Sequence, residues 1–280
     1  MMELKQLERY AADLRLLTLE EFAALGFGHV GGAMSVVELL AVLYGKHLKH
    51  DAKNPDWVER DWLIMSKGHA GPAVYAALAM EGYFLKDVLM TLNQGGTNLP
   101  SHCDRNKTSG VDMTTGSLGQ GISTAIGVAL GNRLDGRENY TYFVIGDGES
   151  NEGQIWEGAQ FAPAHKLDHL IGFTDYNRQQ LDGYLENVLD TFDLAEKWRA
   201  FRWNVIEVDG HDIAAIDAAI AAAKANVGSP SMIVLHTIKG KGCDLAEGKE
   251  ANHHIAFTVE DMAPSIAAAK ARVAELSKGG

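Results

Sequence analysis

An aspartate between two glycines, followed thirty residues later by an asparagine, has the residue types of a divalent-cation site. Asp147 lies between Gly146 and Gly148, and Asn177 follows at a spacing of 177 − 147 = 30 residues. A carboxylate and an amide supply oxygen ligands, and the backbone carbonyl of Gln179 in the next loop supplies a third. A site with few protein oxygens leaves room for phosphate oxygens, which is typical of Mg²⁺ shared with a diphosphate. The two glycines allow such a diphosphate to approach the backbone closely. The alternative interpretation is a simple turn that ends a strand.

The segments around these residues predict a βαβ unit. An apolar strand covers Tyr140 to Ile145, a helix covers about Glu152 to Ala164, and a second apolar strand covers Leu170 to Thr174. Parallel neighbouring strands end at the same edge of their sheet, and open α/β sheets bind ligands at that carboxyl edge. We therefore expect Asp147 and Asn177 to project from the same edge.

Helices and strands alternate in the rest of the chain as well. An amphipathic helix over residues 3–24 is followed by a helix from Ser35 to His47, and further strand and helix patterns alternate up to a last helix near Thr258 to Ser277. This alternation predicts an α/β fold with a doubly wound, mostly parallel sheet and helices on both faces. Without a linker or a repeat, the simplest organisation is a single domain over residues 1–280 with an N-terminal helical extension.

Three histidines stand in predicted turns or loops, where side chains are accessible for chemistry. His29 lies in the glycine-rich turn before the second helix, His69 lies before a helix at Pro72 to Met80, and His102 lies in a loop. Histidine changes its charge near neutral pH, which suits proton transfer. A turn histidine without chemistry is the alternative at each position.

A glycine-rich loop from Gly116 to Gly121 precedes a helix predicted over Ile122 to Leu134. Its spacing is G-x-x-G-x-G, whereas a dinucleotide-binding loop has G-x-G-x-x-G directly after a strand. Such a flat loop could instead lie against the face of a heteroaromatic ring. A nicotinamide-binding oxidoreductase remains an alternative that an NAD titration would test.

Composition limits the partners and the cellular location. The 280 residues include 25 lysines and arginines against 37 aspartates and glutamates, a net charge of −12, which argues against nucleic acid as a partner. Two distant cysteines are typical of a reducing compartment. The N-terminus has no apolar signal core and no long apolar run is present, so we expect a cytoplasmic protein with no membrane span.

Six segments, in order along most of the chain, resemble the transketolase family. They are GHVGGAMS, NPDWVERDWLIMSKGHA, LPSHCDR, VDMTTGSLGQGIS, GDGESNEGQIWEG and DYNRQQLDG. The resemblance implies the thiamine-diphosphate-binding fold and the cofactors thiamine diphosphate and Mg²⁺.

The resemblance also implies which residues bind the cofactors. The Mg²⁺ ligands would be Asp147, Asn177 and the backbone carbonyl of Gln179. The contacts to the diphosphate would come from His69 and Gly148. Gly146 is counted with the cofactor-binding residues because a glycine there lets the backbone approach the diphosphate. A late histidine on the diphosphate side would be His253 or His254, and the segment EANHHIAF leaves both open.

The other implied roles concern the rings of the cofactor and the substrate. Gly116 and Leu118 would lie beside the aminopyrimidine ring. His29 and His102 would face the thiazolium carbon and the sugar hydroxyls, as acid–base groups. Glu152 would reach across a subunit interface toward the domain that binds the pyrimidine.

Full-length members of the family continue into further domains, so the chain resembles the N-terminal subunit of a split transketolase. The implied activity is transfer of a two-carbon ketol unit from a ketose phosphate to an aldose phosphate. The implied partner is a separate C-terminal, pyrimidine-binding subunit in a heterotetramer. Two alternatives are a related thiamine-diphosphate enzyme, specific for 1-deoxyxylulose-5-phosphate synthesis or a modified sugar, and a non-catalytic Mg²⁺–diphosphate binding module.

Overall fold

The structure, a computed structural model, describes residues 2–278 and contains two compact units. The first unit is built from the chain up to residue 55, residues 69–114 and the chain from residue 238 onward. The second unit is built from residues 56–68 and 115–237. That residues 1–280 form a single domain stays a prediction.

The helices and strands of residues 2–278 follow in chain order. The helices are α1 (Leu4–Leu25), α2 (Val30–Met34), α3 (Val37–Val42), α4 (Gly71–Met80), α5 (Gln120–Leu134), α6 (Gly153–Ala164), α7 (Leu185–Val188), α8 (Leu194–Ala200), α9 (Ile213–Ala225) and α10 (Val259–Lys278). The strands are β1 (Phe27–Gly28), β2 (Trp62–Met65), β3 (Thr141–Gly146), β4 (Leu170–Tyr176), β5 (Gln179–Gln180), β6 (Gly183–Tyr184), β7 (Asn204–Asp209), β8 (Ser231–His236) and β9 (Ile255–Ala256).

A five-stranded parallel sheet forms the centre of the second unit. Its strand order is β2-β3-β4-β8-β7, with α5 packed against β2 and β3 and α9 packed against β7 and β8. Strands β3, β4 and β8 are almost entirely buried, which explains their nearly continuous apolar sequences. The predicted fold class is confirmed.

Strand β4 is two residues longer than its apolar run predicts. Its hydrogen-bonded pairing continues past Thr174, with Asp175 opposite Gly146 on β3 and Tyr176 opposite His236 on β8. The prediction ended the strand where the apolar residues end, but pairing with both β3 and β8 holds Asp175 in extended conformation, and pairing with β8 holds Tyr176. An ionisable side chain therefore lies inside the sheet.

Helices dominate the first unit. The long helix α1 packs against α3, α4 and α10, and its buried side includes leucines, a tyrosine and a phenylalanine. The short strands β1 and β9 pair antiparallel, with Gly28 opposite Ile255. Among the described helices, none has both the length and the apolar character that a membrane span requires.

The prediction of one helix from Ser35 to His47 is wrong. Helix α2 begins earlier, at Val30, and α3 begins after a break, followed by a π-helical turn over Leu43–His47. The break follows from Ser35, whose hydroxyl donates to the carbonyl of Gly32 at 3.2 Å and so competes with the backbone pattern of the helix.

Candidate functional site

Asp147 is buried in the turn that follows β3. Its carboxylate accepts hydrogen bonds from two backbone amides, that of Gly148 at 2.7 Å and that of Arg178. Its own backbone amide donates to the carbonyl of Asp175 at 3.2 Å. The parallel pairing of β3 with β4 thus brings Asp147 next to the chain that leads into Asn177, as the sequence predicts.

Asn177 lies in the turn between β4 and the β5–β6 hairpin. Its Oδ1 accepts from the amide of Gln179 at 3.1 Å, and its Nδ2 donates to Oδ2 of Asp175 at 2.9 Å. Between Asn177 and Gln179, Arg178 has a left-handed backbone (φ +63°), which closes the turn around the carboxylate of Asp147. Asp147, Asn177 and the amide of Gln179 therefore lie in adjoining turns at the carboxyl edge of the sheet, and their roles as metal ligands stay predictions.

The electrostatics of Asp147 favour a cation. Burial, together with the neighbouring charge of Asp175, raises the pKa of Asp147 to about 7, although backbone amides and Lys67 act in the opposite direction. Within residues 2–278, no group of three or more histidine, cysteine, aspartate or glutamate side chains is arranged to hold a metal ion. A cation at Asp147 would therefore need amide, carbonyl or ligand oxygens as well.

The two glycines around Asp147 have different surroundings. A Cβ atom on Gly148 would lie 2.8 Å from Cβ of Gln180, so only glycine fits against the β5–β6 hairpin there. A Cβ atom on Gly146 would meet no atom closer than 3.9 Å. Gly148 thus has a packing role in addition to the predicted contact with a diphosphate, whereas Gly146 leaves open space.

The glycine-rich loop and Glu152 also belong to the second unit. Gly116 and Leu118 lie in the loop before α5, where the Leu118 side chain is exposed. Glu152 is exposed at the start of α6, and its side chain makes no capping hydrogen bond to that helix. Their predicted roles beside a ring and across an interface stay predictions.

Sequence reasoning missed Glu149, a buried carboxyl that joins three segments. Its Oε1 accepts from the Ser66 hydroxyl after β2 and from the amide of Gly119 at 2.8 Å, and its Oε2 accepts from the amide of Gly146 at 3.0 Å. Burial raises the pKa of Glu149. The glycine loop, the end of β2 and the end of β3 are thus fixed to one side chain. The signal for this role in the sequence was a charged residue placed directly after an apolar strand and the glycine turn that ends it.

A second missed feature is the buried ion pair of Lys67 with Asp175. Both side chains are excluded from solvent, at 1% and 0% exposure. The hydroxyl of Thr237 donates to the other carboxylate oxygen of Asp175. The sequence shows Asp175 next to an apolar strand and Lys67 just after a different strand. Their pairing could not be predicted because it depends on the order of the strands in the sheet.

In the first unit, four histidine rings surround the ring of His29. The ring centroid of His29 lies 4.8 Å from that of His254, 5.1 Å from His102, 5.3 Å from His253 and 5.6 Å from His69. His69 and His253 are 4.8 Å apart. The structure therefore brings together all the histidines that the sequence analysis selected, including both candidates for the late histidine.

Antiparallel pairing explains why residues so distant in sequence meet here. Gly28 lies opposite Ile255 in this pair of strands. His29 directly follows β1 and His254 directly precedes β9, so the two histidines are neighbours. The amide of Gly31 continues the pairing by donating to the carbonyl of Asn252 at 3.1 Å. A Cβ atom on Gly31 would lie 2.5 Å from that carbonyl oxygen, so the close approach requires glycine.

Crowding lowers the proton affinity of the central histidine. Burial lowers the pKa of His29 to about 4, and repulsion by the charged forms of His102 and His254 contributes. Burial also lowers the pKa of His102. At neutral pH, His29 is therefore an uncharged imidazole that can accept a proton.

We expect His29 to titrate near pH 4 in an NMR titration of its ring protons, below the usual value of about 6.5 for histidine. Between about pH 6.5 and pH 4, His29 binds a proton in the unfolded chain but not in the folded chain. Its contribution therefore lowers the free energy of unfolding as the pH falls through that window. His254→Gln should raise the pKa of His29, whereas His211→Gln in the second unit should not. A pKa at or above 6.5 in the unaltered chain would contradict this account.

Glu149→Gln should destabilise the folded chain by about 1–3 kcal/mol, measured by denaturant unfolding. Whichever carboxyl oxygen becomes an NH₂ group, it faces a backbone N–H, of Gly119 or of Gly146, and a buried hydrogen bond is lost. The matched control is Glu152→Gln, an exposed position on the same turn, which should change stability by less than about 0.5 kcal/mol. Equal stability of the two variants would contradict the assigned role of Glu149.

Comparisons with known proteins identify relatives of the whole chain. A family model described as the thiamine diphosphate binding domain of transketolase matches residues 7–272. The chain is 54% identical over 274 residues to the 6-deoxy-6-sulfo-D-fructose transketolase subunit SqwG of Clostridium sp. (strain MSTE9), covering 98% of this chain and 97% of that protein. It is 38% identical to an apulose-4-phosphate transketolase subunit of Actinobacillus succinogenes, covering 89% of this chain and 90% of that protein.

Solved structures agree with these relatives. The transketolase of Leishmania mexicana superposes with a TM-score of 0.85 at 32% identity, covering 98% of this chain and 45% of that chain. The chain thus spans nearly the whole length of the two related subunits and less than half of the solved enzyme. These matches confirm the predicted family and fold class: the chain belongs to the transketolase family and carries its thiamine diphosphate-binding domain.

Proposed function

We propose that this chain is the N-terminal subunit of a split, Mg²⁺-dependent transketolase, which moves a two-carbon ketol unit from a ketose to an aldose. The observation that carries the proposal is the register of β3 and β4, which sets Asp147 and Asn177 in one hydrogen-bonded cluster at the carboxyl edge of the sheet. The family match to a thiamine diphosphate-binding domain supports the choice of cofactor.

The donor set of this cluster fits Mg²⁺ shared with a diphosphate. Asp147 offers a carboxylate, Asn177 an amide oxygen and Gln179 a backbone carbonyl, all of them hard oxygen ligands. Because the protein supplies few acidic ligands here, phosphate oxygens would complete the coordination. Thiamine diphosphate, when bound, supplies the carbon to which the two-carbon unit is attached.

The histidine cluster supplies groups that hold and move protons. Ketol transfer requires proton transfers at hydroxyl and carbonyl oxygens of sugars. With its lowered pKa, His29 is neutral at physiological pH and accepts a proton, and His102 has a pKa lowered in the same direction. We assign His29 and His102 to this acid–base work and His69, with His253 or His254, to holding the diphosphate.

A second chain would complete the catalytic centre. Large apolar side chains are exposed in the segment 181–192 of the second unit, where Leu181 is 65%, Leu189 59% and Phe192 70% exposed. A segment that exposes several large apolar side chains is a candidate for a protein interface. We propose that this segment contacts a pyrimidine-binding subunit and that Glu152 reaches across the same interface. The assembly would be a heterotetramer with two copies of each chain, in the cytoplasm.

One modified sugar is a specific candidate for the ketose donor. The 54% identical relative is named as a 6-deoxy-6-sulfo-D-fructose transketolase subunit. We infer a sulfosugar as the donor to be assayed first, beside ketose phosphates, with the partner subunit present. Equal or greater turnover of a ketose phosphate would favour the ordinary transketolase reaction.

Asp147→Ala should abolish Mg²⁺-dependent binding of thiamine diphosphate to the complex of the two subunits, because the only ionic ligand of the metal is lost. Isothermal titration calorimetry with and without Mg²⁺ measures this effect. Asp209→Ala is the matched control, since Asp209 ends β7 at the same edge of the sheet and should leave the affinity unchanged. An unaltered affinity in Asp147→Ala would refute the metal assignment.

The purified chain should show no ketol transfer until the partner subunit is added, because the pyrimidine-binding residues would come from that subunit. Phe192→Asp should weaken association with the partner in sedimentation experiments and reduce the activity at limiting partner concentration.

Val227→Asp is the control for this prediction. Val227 is equally apolar and 84% exposed, but it precedes β8 at the amino edge of the sheet. It should leave association unchanged. Robust turnover by the chain alone would contradict the split-enzyme assignment, and equal effects of both variants would contradict the assigned interface.

A further inference from the structure

We propose that Asp175, paired with Lys67, is a positioning residue that orients the Asn177 side chain at the proposed Mg²⁺ site. The inference rests on the proposed function, since it concerns the same metal. Asp175 is not itself assigned as a ligand. Its role is to fix where the ligand oxygen of Asn177 lies before a metal ion binds.

Asp175 contacts both proposed ligands through different atoms. Its backbone carbonyl accepts from the amide of Asp147 at 3.2 Å, and its Oδ2 accepts from Nδ2 of Asn177 at 2.9 Å. The remaining oxygen, Oδ1, accepts from the hydroxyl of Thr237. One residue of β4 thus connects the turn after β3 with the turn after β4.

The side-chain contact decides which way the amide of Asn177 faces. An amide has an oxygen end and an NH₂ end, and only the NH₂ end can donate to a carboxylate. With Nδ2 held by Asp175, Oδ1 must face the opposite side, where it accepts from the amide of Gln179. The flipped amide would set oxygen against oxygen at Asp175, so the carboxylate excludes it.

Lys67 allows this carboxylate to remain buried. An isolated buried charge is strongly unfavourable, and an ion pair with hydrogen bonds offsets much of that cost. Lys67 lies in the turn after β2, where its amide donates to the carbonyl of Val144 on β3 at 3.3 Å, and β3 in turn pairs with β4, with Gly146 opposite Asp175. Two strand spacings, roughly 9–10 Å, separate the backbones of Lys67 and Asp175, and a lysine side chain can bridge that gap.

Two double variants distinguish the effect of losing the acceptor oxygen for Asn177 from the effect of losing the buried charges. Lys67→Met with Asp175→Leu removes both charges and leaves Nδ2 of Asn177 without its acceptor. Lys67→Met with Asp175→Asn removes the same charges but keeps a carbonyl oxygen for Asn177, while the new NH₂ group faces the Thr237 hydroxyl. Replacing a whole buried ion pair by groups of similar volume is tolerated by many proteins, so both variants should fold.

The readout is the affinity for Mn²⁺, used as a probe for Mg²⁺, at a fixed concentration of thiamine diphosphate. It is measured by electron paramagnetic resonance on the complex with the partner subunit, and thermal unfolding of each variant is recorded in parallel. Groups that orient metal ligands typically contribute 10–100-fold to metal affinity. We expect about that loss in the Lys67→Met/Asp175→Leu variant and a loss below about threefold in the Lys67→Met/Asp175→Asn variant.

A stability control distinguishes orientation from general weakening. Ser231→Ala removes a buried hydroxyl that accepts from Nδ2 of Asn204 at 3.0 Å, at the amino end of β8. It should lower the unfolding temperature and leave Mn²⁺ affinity unchanged. If Ser231→Ala weakens Mn²⁺ binding as much as the Lys67→Met/Asp175→Leu variant does, general destabilisation explains the loss of affinity and the proposed role of Asp175 is wrong.

The remaining outcomes separate this inference from the proposed function. Equal Mn²⁺ affinity in the two double variants, with the unaltered complex binding Mn²⁺ and Asp147→Ala failing to bind, would overturn the role of Asp175 alone. Failure of the unaltered complex to bind Mn²⁺ with thiamine diphosphate would overturn the proposed function and this inference with it.

Discussion

The second unit depends on how it accommodates buried negative charge at the carboxyl edge of its sheet. Asp147, Glu149 and Asp175 are almost excluded from solvent there, where unpaired carboxylates are unfavourable. Backbone amides bind the first two, and Lys67 binds the third. These contacts fix the turns after β2, β3 and β4. The interactions that compensate the buried charges therefore also determine where the proposed metal ligands lie.

Strand pairing brings the functional side chains together in each unit. Parallel pairing of β3 with β4 makes the residues that follow both strands neighbours. In the first unit, antiparallel pairing of β1 with β9 sets His29 beside His254, residues that are more than two hundred positions apart. Burial, together with the charged forms of His102 and His254, then lowers the pKa of His29. Gly31 allows this approach because any side chain there would collide with the carbonyl of Asn252.

Local sequence patterns predicted the elements and the meeting of Asp147 with Asn177, because strand order within a βαβ unit follows from short-range rules. The ion pair of Lys67 with Asp175 was not predictable in the same way. It requires β2 and β4 to flank β3, a fact of the whole sheet rather than of any segment. The polar end of β4 was missed for a related reason, since pairing with two neighbours outweighed the local loss of apolar character. The break at Ser35 reflects one hydroxyl that competes for a backbone carbonyl.

The most direct test of this account is the anomalous scattering of Mn²⁺ in crystals of the two-subunit complex with thiamine diphosphate. The account predicts one strong peak at the carboxyl edge of the sheet, bonded to an oxygen of Asp147 and to Oδ1 of Asn177 at about 2.0–2.2 Å. It also predicts that Asp175 stays outside the coordination sphere and remains bonded to Nδ2 of Asn177. A metal ion bound directly by Asp175, or bound without contact to Asp147, would contradict it.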